Sequence, residues 1–176
     1  MLINETWPDL PATLVDEKAA AEIEWVIDLI SETRSARAEL GVPAGAKIPL
    51  LLIGATEDSA HRLERHQELI DRLARLDYST TADAPPRGAV TFVHGEATIA
   101  LPLEGVVDFR AEADRLAKEI KRLAGDIAKI DAKLSNAEFM RKAPEEVVEE
   151  QRERRADAEA AKAKLEGAVE RLRAAV

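Results

Sequence analysis

The strongest constraint on how this chain folds is a run of eight apolar positions between residues 109 and 134. Phe109, Ala113, Leu116, Ile120, Leu123, Ile127, Ile130 and Leu134 follow one another by steps of 4, 3, 4, 3, 4, 3 and 4. A mean spacing of 3.5 keeps these side chains on one stripe of an α-helix and is the repeat of a coiled-coil seam. As continuous helix the segment would extend about 39 Å. Its Leu and Ile side chains are each worth about 1.5–3 kcal/mol when buried, so the stripe needs a partner surface.

The nearest partner is the segment from Pro144 to about Ala175. Its periodic face is less apolar: Val147 or Val148, Ala158, Ala161, Leu165, Ala168 or Val169, and Leu172. The alanines permit close approach of two helices. Residues 135–143 are long enough to reverse the chain, which predicts an antiparallel coiled-coil helical hairpin. Within that turn Ser135 and Glu138 fit a capping box. Pro144 suits the first position of the returning helix, with Glu145 and Glu146 complementing its dipole. Phe139 and Met140 are placed to plug the tip. The same stripe could instead pair between two chains, as a structural dimerisation module.

The chain before this seam reads differently. Trp7, Pro8 and Pro11 look like a lead-in. Asp16 can cap a helix whose first turn holds Glu17 and whose apolar stripe is Ile23, Val26, Ile27 and Ile30. Leu40, Gly41 and Pro43 are a stop signal. Lys47 to Ile53 reads as a buried strand, with Pro49 pushing it toward a sheet edge or a strand start. A second helix spans roughly Asp58–Leu76. "APPRG" (84–88) is a loop, and "AVTFV" and "EATIAL", separated by His94 and Gly95, read as a hairpin. The expected fold class is α+β: a small α-β-α-β-β domain at 16–107 after a lead-in at 1–15, then the helical hairpin at 108–176. A further strand near Tyr78–Thr81 would extend the sheet.

Charge divides along the same line. Residues 1–108 hold 9 Lys/Arg against 19 Asp/Glu, a balance of −10, whereas 109–176 hold 16 against 15, a balance of +1. Within the latter, 109–143 carry 9 basic and 6 acidic residues, so the seam helix is mildly basic inside a chain of net charge −9. The longest apolar run, Ile48 to Ile53, is too short to span a bilayer, and the amino terminus lacks a basic-then-apolar signal pattern. A soluble, cytoplasmic protein without a membrane partner is expected. With no cysteine, thiol chemistry and cysteine-based zinc sites are excluded. His61, His66 and His94 lack ligand spacing, the carboxylates are spread over helix faces, and no glycine-rich phosphate loop or nucleophile elbow occurs. No catalytic centre and no cofactor site are expected in this chain.

Two long motifs, "LPLEGVVDFRAEADRLAKEIKRL" and "KLSNAEFMRKAPEEVVEEQRER", closely resemble the carboxy-terminal tail of bacterial valyl-tRNA synthetases, class I aminoacyl-tRNA synthetases. That family's turn reads like "LSNxxFxxKAPxxVVxxxR", matched here by Leu134, Ser135, Asn136, Phe139, Lys142, Ala143, Pro144, Val147, Val148 and Arg152. Upstream, "TRSARAELGVPAGAKIPLLL" (33–52) and "LERHQELIDRLARL" (63–76) fit the same family, and Trp7-Pro8 resembles its junction with the anticodon-binding domain. The resemblance implies a non-catalytic fragment of an ATP- and Mg-dependent valine–tRNA ligase, since the HIGH-like and KMSKS-like signatures are absent. It implies a coiled coil that leans on the outer corner of valine-accepting tRNA, where the D and T loops meet, to position it for aminoacylation. The partners it implies are that tRNA and the remainder of the synthetase chain, with the fragment a monomer.

Candidate RNA-contacting residues follow from the heptad. Arg115, Arg122 and Lys129 lie on one line, seven apart, with Lys118 and Lys121 beside it, forming an outward basic stripe about 21 Å long. A row of mobile cations suits the phosphates of a folded RNA recognised by shape. The alternative is a solvated face balanced by Glu119 and Asp126. Arg141 and Lys142 at the tip would either join the stripe or cap turn carbonyls. Phe139 would either stack on a base or bury the tip, and Asn136 reads as a cap or turn residue. Arg34 and Arg37 either meet the tRNA or a neighbouring domain, or merely favour the carboxy end of their own helix.

Overall fold

A computed structural model describes residues 15–175; the Trp7, Pro8 and Pro11 lead-in lies outside the described residues. The chain has mixed α/β content with a four-stranded sheet and long carboxy-terminal helices. Its elements are α1 (Glu17–Glu39), β1 (Ile48–Ile53), α2 (Glu57–Arg65), α3 (Gln67–Ala74), β2 (Leu76–Ala82), β3 (Ala89–His94), β4 (Ala97–Pro102), α4 (Phe109–Leu134), α5 (Ala137–Lys142) and α6 (Glu145–Ala174).

The order before α4 is therefore α-β-α-α-β-β-β, not α-β-α-β-β. The expected second helix breaks at His66, which closes α2 and opens α3 while its ring nitrogen Nε2 meets Glu22 at 2.7 Å. Arg75 ends α3 in the left-handed region at φ 55°. Leu76 then starts the further strand expected near Tyr78–Thr81, which pairs parallel with β1. The sheet order is β2-β1-β4-β3, with β1/β4 and β3/β4 antiparallel. β1 is thus interior rather than at an edge, and Pro49 takes the other place expected for it, the start of the strand, as its second residue. The proline is tolerated because the β1–β2 register slips between Ile48 and Leu50, where the missing N–H falls in an irregular part of the ladder.

Alternation in β1 sends Ile48, Leu50 and Leu52 fully into the core, joined by Ile70, Leu76, Ile99 and Leu101. Asp16 caps α1 as expected, its Oδ1 accepting from the backbone N–H groups of Lys18 and Ala19. The buried face of α1 is rotated from the expected one. Val26, Leu29, Ile30, Thr33, Ala36 and Arg37 are buried, whereas Ile23 and Ile27 are 44% and 54% exposed. The stripe 23-26-27-30 satisfied helical spacing but centred the packed face on the wrong side of Val26.

The β3–β4 turn is Gly95-Glu96, with Gly95 at φ 58°. His94 Nδ1 meets Glu32 Oε2 at 2.8 Å, tying the hairpin to α1, and its ring makes a T-shaped pair with that of Trp25, centroids 5.2 Å apart. Glu96 Oε1 accepts from Ser59 Oγ at 2.6 Å and Thr56 Oγ1 at 3.0 Å at the start of α2. These bonds, that from Ser59 foremost, hold the Glu96 carboxyl down at about 2. Because its pKa falls on folding, the stabilisation is complete above the ordinary value of 4.5 and is lost as pH drops toward 2. Melting between pH 5 and 2 should therefore show a steeper loss of stability in the wild type than in Glu96→Gln.

Helices α4 and α6 pack against each other more extensively than any other pair of elements. All eight expected seam positions of α4 are at least half-buried, and Leu116 fully so. Near the far end of α4, Asp131 meets Arg155 early in α6. At the opposite end, Leu116 shares the core cluster with Ala168, Val169 and Leu172 of α6. The inward face of α6 runs through Val148, Gln151, Arg155, Ala158, Lys162, Leu165, Val169 and Leu172, by steps of 3 and 4. Ala161, expected inward, is exposed, and polar Gln151, Arg155 and Lys162 stand at positions that apolar counting passed over.

The turn also differs in detail. Ser135 forms no capping box; it closes α4, donating from Oγ to the Asp131 carbonyl at 2.7 Å. Asn136 is the cap of α5, its Oδ1 accepting from Glu138 N at 2.9 Å and Phe139 N at 3.1 Å. Pro144 is the residue before α6 rather than its first. Phe139 is half-buried, but Met140 is exposed and plugs nothing.

Candidate nucleic-acid interface

The base of the long helices is built by three chain segments. Asp108 caps α4, accepting from Arg110 N at 3.1 Å and Ala111 N at 2.9 Å. Asp108→Ala should cost about 1 kcal/mol, a figure common for such caps and readable in a urea titration. Gly41, at φ 66° after α1, lies so close to Glu112 that a Cβ there would come within 2.7 Å of its carboxyl carbon. Arg115 holds that carboxylate from the other side through Nη2 to Oε1 at 2.6 Å. Across the base, Arg171 of α6 meets Glu39 of α1 at 2.6 Å.

The cations of α4 then fall into two sets. On one line, Arg115 pairs with Glu112, Arg122 pairs with Glu119 and lies 3.5 Å from Asp126, and Lys129 pairs with Asp126 at 3.1 Å. Each acid stands three residues before its base, a spacing that puts them side by side on a helix. Hydrogen bonding to Glu112 and to Glu119 raises the pKa of Arg115 and of Arg122 respectively, and lowers that of Glu119. This row is close to neutral. Lys118 and Lys121 are exposed, and neither has a salt-bridge partner among the described residues. The same holds for Arg110 and Lys133 near the ends of α4, which seam counting did not single out. At the tip, Lys142 pairs with Glu138 at 2.6 Å, while Arg141 is exposed and without such a partner among the described residues.

Lys121, Gly125, Ala128 and Ala132 step by 4, 3 and 4 and are all exposed, on the side away from the seam. Small side chains there leave the helix surface open beside Lys118 and Lys121, with Asp114 one turn toward the base. Among the described residues no group of three or more His, Cys, Asp or Glu side chains could hold a metal ion, and no helix is long and apolar enough to cross a membrane.

Residues 108–173 match the family described as "Valyl tRNA synthetase tRNA binding arm". The match spans α4, α5 and nearly all of α6. Beyond the arm, the whole chain is similar to valine–tRNA ligases. That of Caulobacter vibrioides is 51% identical over 98% of this chain and 19% of its own length. That of Cereibacter sphaeroides is 45% identical over 98% and 17%, and that of Mesorhizobium japonicum 42% identical over 98% and 18%. The chain thus spans less than a fifth of the curated relatives it matches, corresponding to their carboxy-terminal part. The α/β portion lies within the similarity to valyl-tRNA synthetases, although the arm family itself begins at Asp108.

Proposed function

We propose that residues 108–176 form an antiparallel coiled-coil hairpin, turning near 135–143, that serves as the tRNA-binding arm of a valine–tRNA ligase. The α/β portion at 16–107 is then the small domain from which the arm projects. The arm contacts the outer corner of valine-accepting tRNA, where the D and T loops meet, and positions it for aminoacylation by the remainder of the synthetase. ATP and Mg act in that remainder; no residue of this chain is assigned to them.

One observation supports this reading above the others: exposed cations on α4 that have no carboxylate partner among the described residues, within the segment that matches the arm family. Lys118, Lys121 and Arg141 are the proposed phosphate contacts, with Arg110 and Lys133 on the two flanks of α4 nearer its ends. Arg115, Arg122, Lys129 and Lys142 contribute less, because a phosphate approaching each must displace or repel the carboxylate already bound there. Contacts of this kind position a folded RNA without reading its sequence.

The test is binding of labelled valine-accepting tRNA to this chain between 50 and 200 mM salt. Three to five phosphate contacts give a log–log slope of roughly −2 to −4. Absence of binding at low salt, or a flat salt dependence, would contradict the proposal. The arm also needs no second copy of the chain. Sedimentation equilibrium should return a mass of 19.3 kDa, whereas a concentration-dependent doubling would favour the dimerisation reading of the seam.

A further inference from the structure

Three arginines converge on the carboxy-terminal end of α3, and none of them pairs with a carboxylate among the described residues. Arg34 donates from Nη1 to the Leu73 carbonyl at 3.0 Å. Arg37 donates to the carbonyls of Arg75 at 3.2 Å and Ala46 at 2.7 Å. Arg75 donates to the Ala44 carbonyl at 2.7 Å. Arg34 and Arg37 thus bridge from α1 to α3 and the loop after Pro43, while Arg37 also stands in the last turn of its own helix. With Val42, Leu73 and Ala74 they line a shallow depression of about 380 Å³.

The electrostatics of this cluster are out of keeping with its surroundings. Residues 1–108 carry 9 basic and 19 acidic side chains, yet three of the nine bases meet here with no ion-pair partner among the described residues. Arg37 is only 6% exposed, and burial, with the charge of Arg75 second, lowers its pKa. The carbonyl end of α3 supplies roughly half a negative charge, against three positive ones. Glu68, Asp71 and Asp77 stand on the other side of Arg75, in a neighbouring depression with Lys47 and Arg72. Carbonyl bonds hold the guanidinium planes in place and leave the exposed Arg34 and Arg75 with further N–H donors. Such fixed forks match the oxygens of a phosphate group.

We propose that this depression binds phosphodiester groups of the same RNA held by the arm, as a second contact outside the arm. The inference rests on the RNA-binding reading of α4. Position favours RNA over an acidic protein segment. Arg37 lies one helical turn before Gly41, which abuts Glu112 in the first turn of α4. The cluster therefore adjoins the base of the arm, whose first helical turn carries Arg110.

The test compares two variants for tRNA binding across the same salt series. Arg34→Gln with Arg75→Asn removes the two exposed guanidinium groups, asparagine being tolerant of the left-handed backbone at position 75. Lys118→Glu with Lys121→Glu disables the arm. The arginine variant should bind about tenfold more weakly at 50 mM salt, with the slope reduced by about 1.4–1.8. If only the arm variant is weakened and the arginine variant matches wild type in affinity and slope, the second contact is refuted and the arm reading stands. If neither variant is weakened, both readings fall. If the arginine variant loses binding to poly-glutamate but keeps its RNA affinity, the depression takes an acidic protein segment and the proposal is overturned. Should the double variant melt early, Arg34→Glu alone, on an exposed helix surface, carries the same comparison.

Discussion

Leu116→Ala should lower the unfolding free energy by about 2–5 kcal/mol, the range for emptying a buried leucine site that collapses only partly. Leu116 is 1% exposed and is the fully buried residue of α4. It joins Ala168, Val169 and Leu172 of α6 to Leu40, Val42 and Leu103 in one cluster. Alanines and valines dominate the α6 side, so little volume is free to move into the cavity. For a chain of this length the melting midpoint should fall by roughly 5–15 °C. Leu123→Ala, at a half-buried position farther along the seam, should cost clearly less. Equal losses at the two positions would mean that the base of the arm is no better packed than its shaft.

The second large effect concerns RNA. Lys118→Gln with Lys121→Gln should weaken tRNA binding by about tenfold or more near 50 mM salt and flatten the slope by roughly 1.4–1.8. The informative control deletes a whole ion pair, Glu119→Gln with Arg122→Gln, which leaves net charge unchanged. Since Arg122 is engaged by Glu119 and Asp126, the paired deletion should shift affinity by less than about threefold. A larger effect for the Glu119/Arg122 deletion than for the two lysines would return the contact to the line of Arg115, Arg122 and Lys129. Thermal melts of both variants distinguish lost contacts from lost structure, since exposed side chains contribute little to stability.

The seam of α4 was legible in the sequence because Leu or Ile fills six of its eight positions, and the extent of the helix followed from it. Its partner face was harder to read. Gln151, Arg155 and Lys162 stand in register on α6, where long side chains can lay their stems against the seam and keep their polar ends near water or Asp131. Counting only apolar residues therefore selected Ala161. The break at His66 and the early start, at Leu76, of the strand expected near Tyr78–Thr81 escaped for a related reason. Leu63, Leu69, Ile70, Leu73 and Leu76 satisfy one helical period, yet a tertiary bond to Glu22 and the left-handed Arg75 divide them. At the candidate site, the division into paired and unpaired cations was present in the spacing of Glu112, Glu119 and Asp126 three residues before their partners. The arginine cluster at α3 was not, because it depends on two helices meeting.

The chain contains no cysteine, so Ala128→Cys supplies a single attachment point for an iron chelate that cleaves nearby RNA. Ala128 is exposed on the outward side of α4, and Ala160, exposed on α6, provides the opposite placement through Ala160→Cys. With valine-accepting tRNA bound, the chelate at position 128 should cut in the D and T loops and the chelate at 160 should cut little. Cleavage confined to the anticodon stem, or arising only from position 160, would contradict the arm's proposed contact with the tRNA corner.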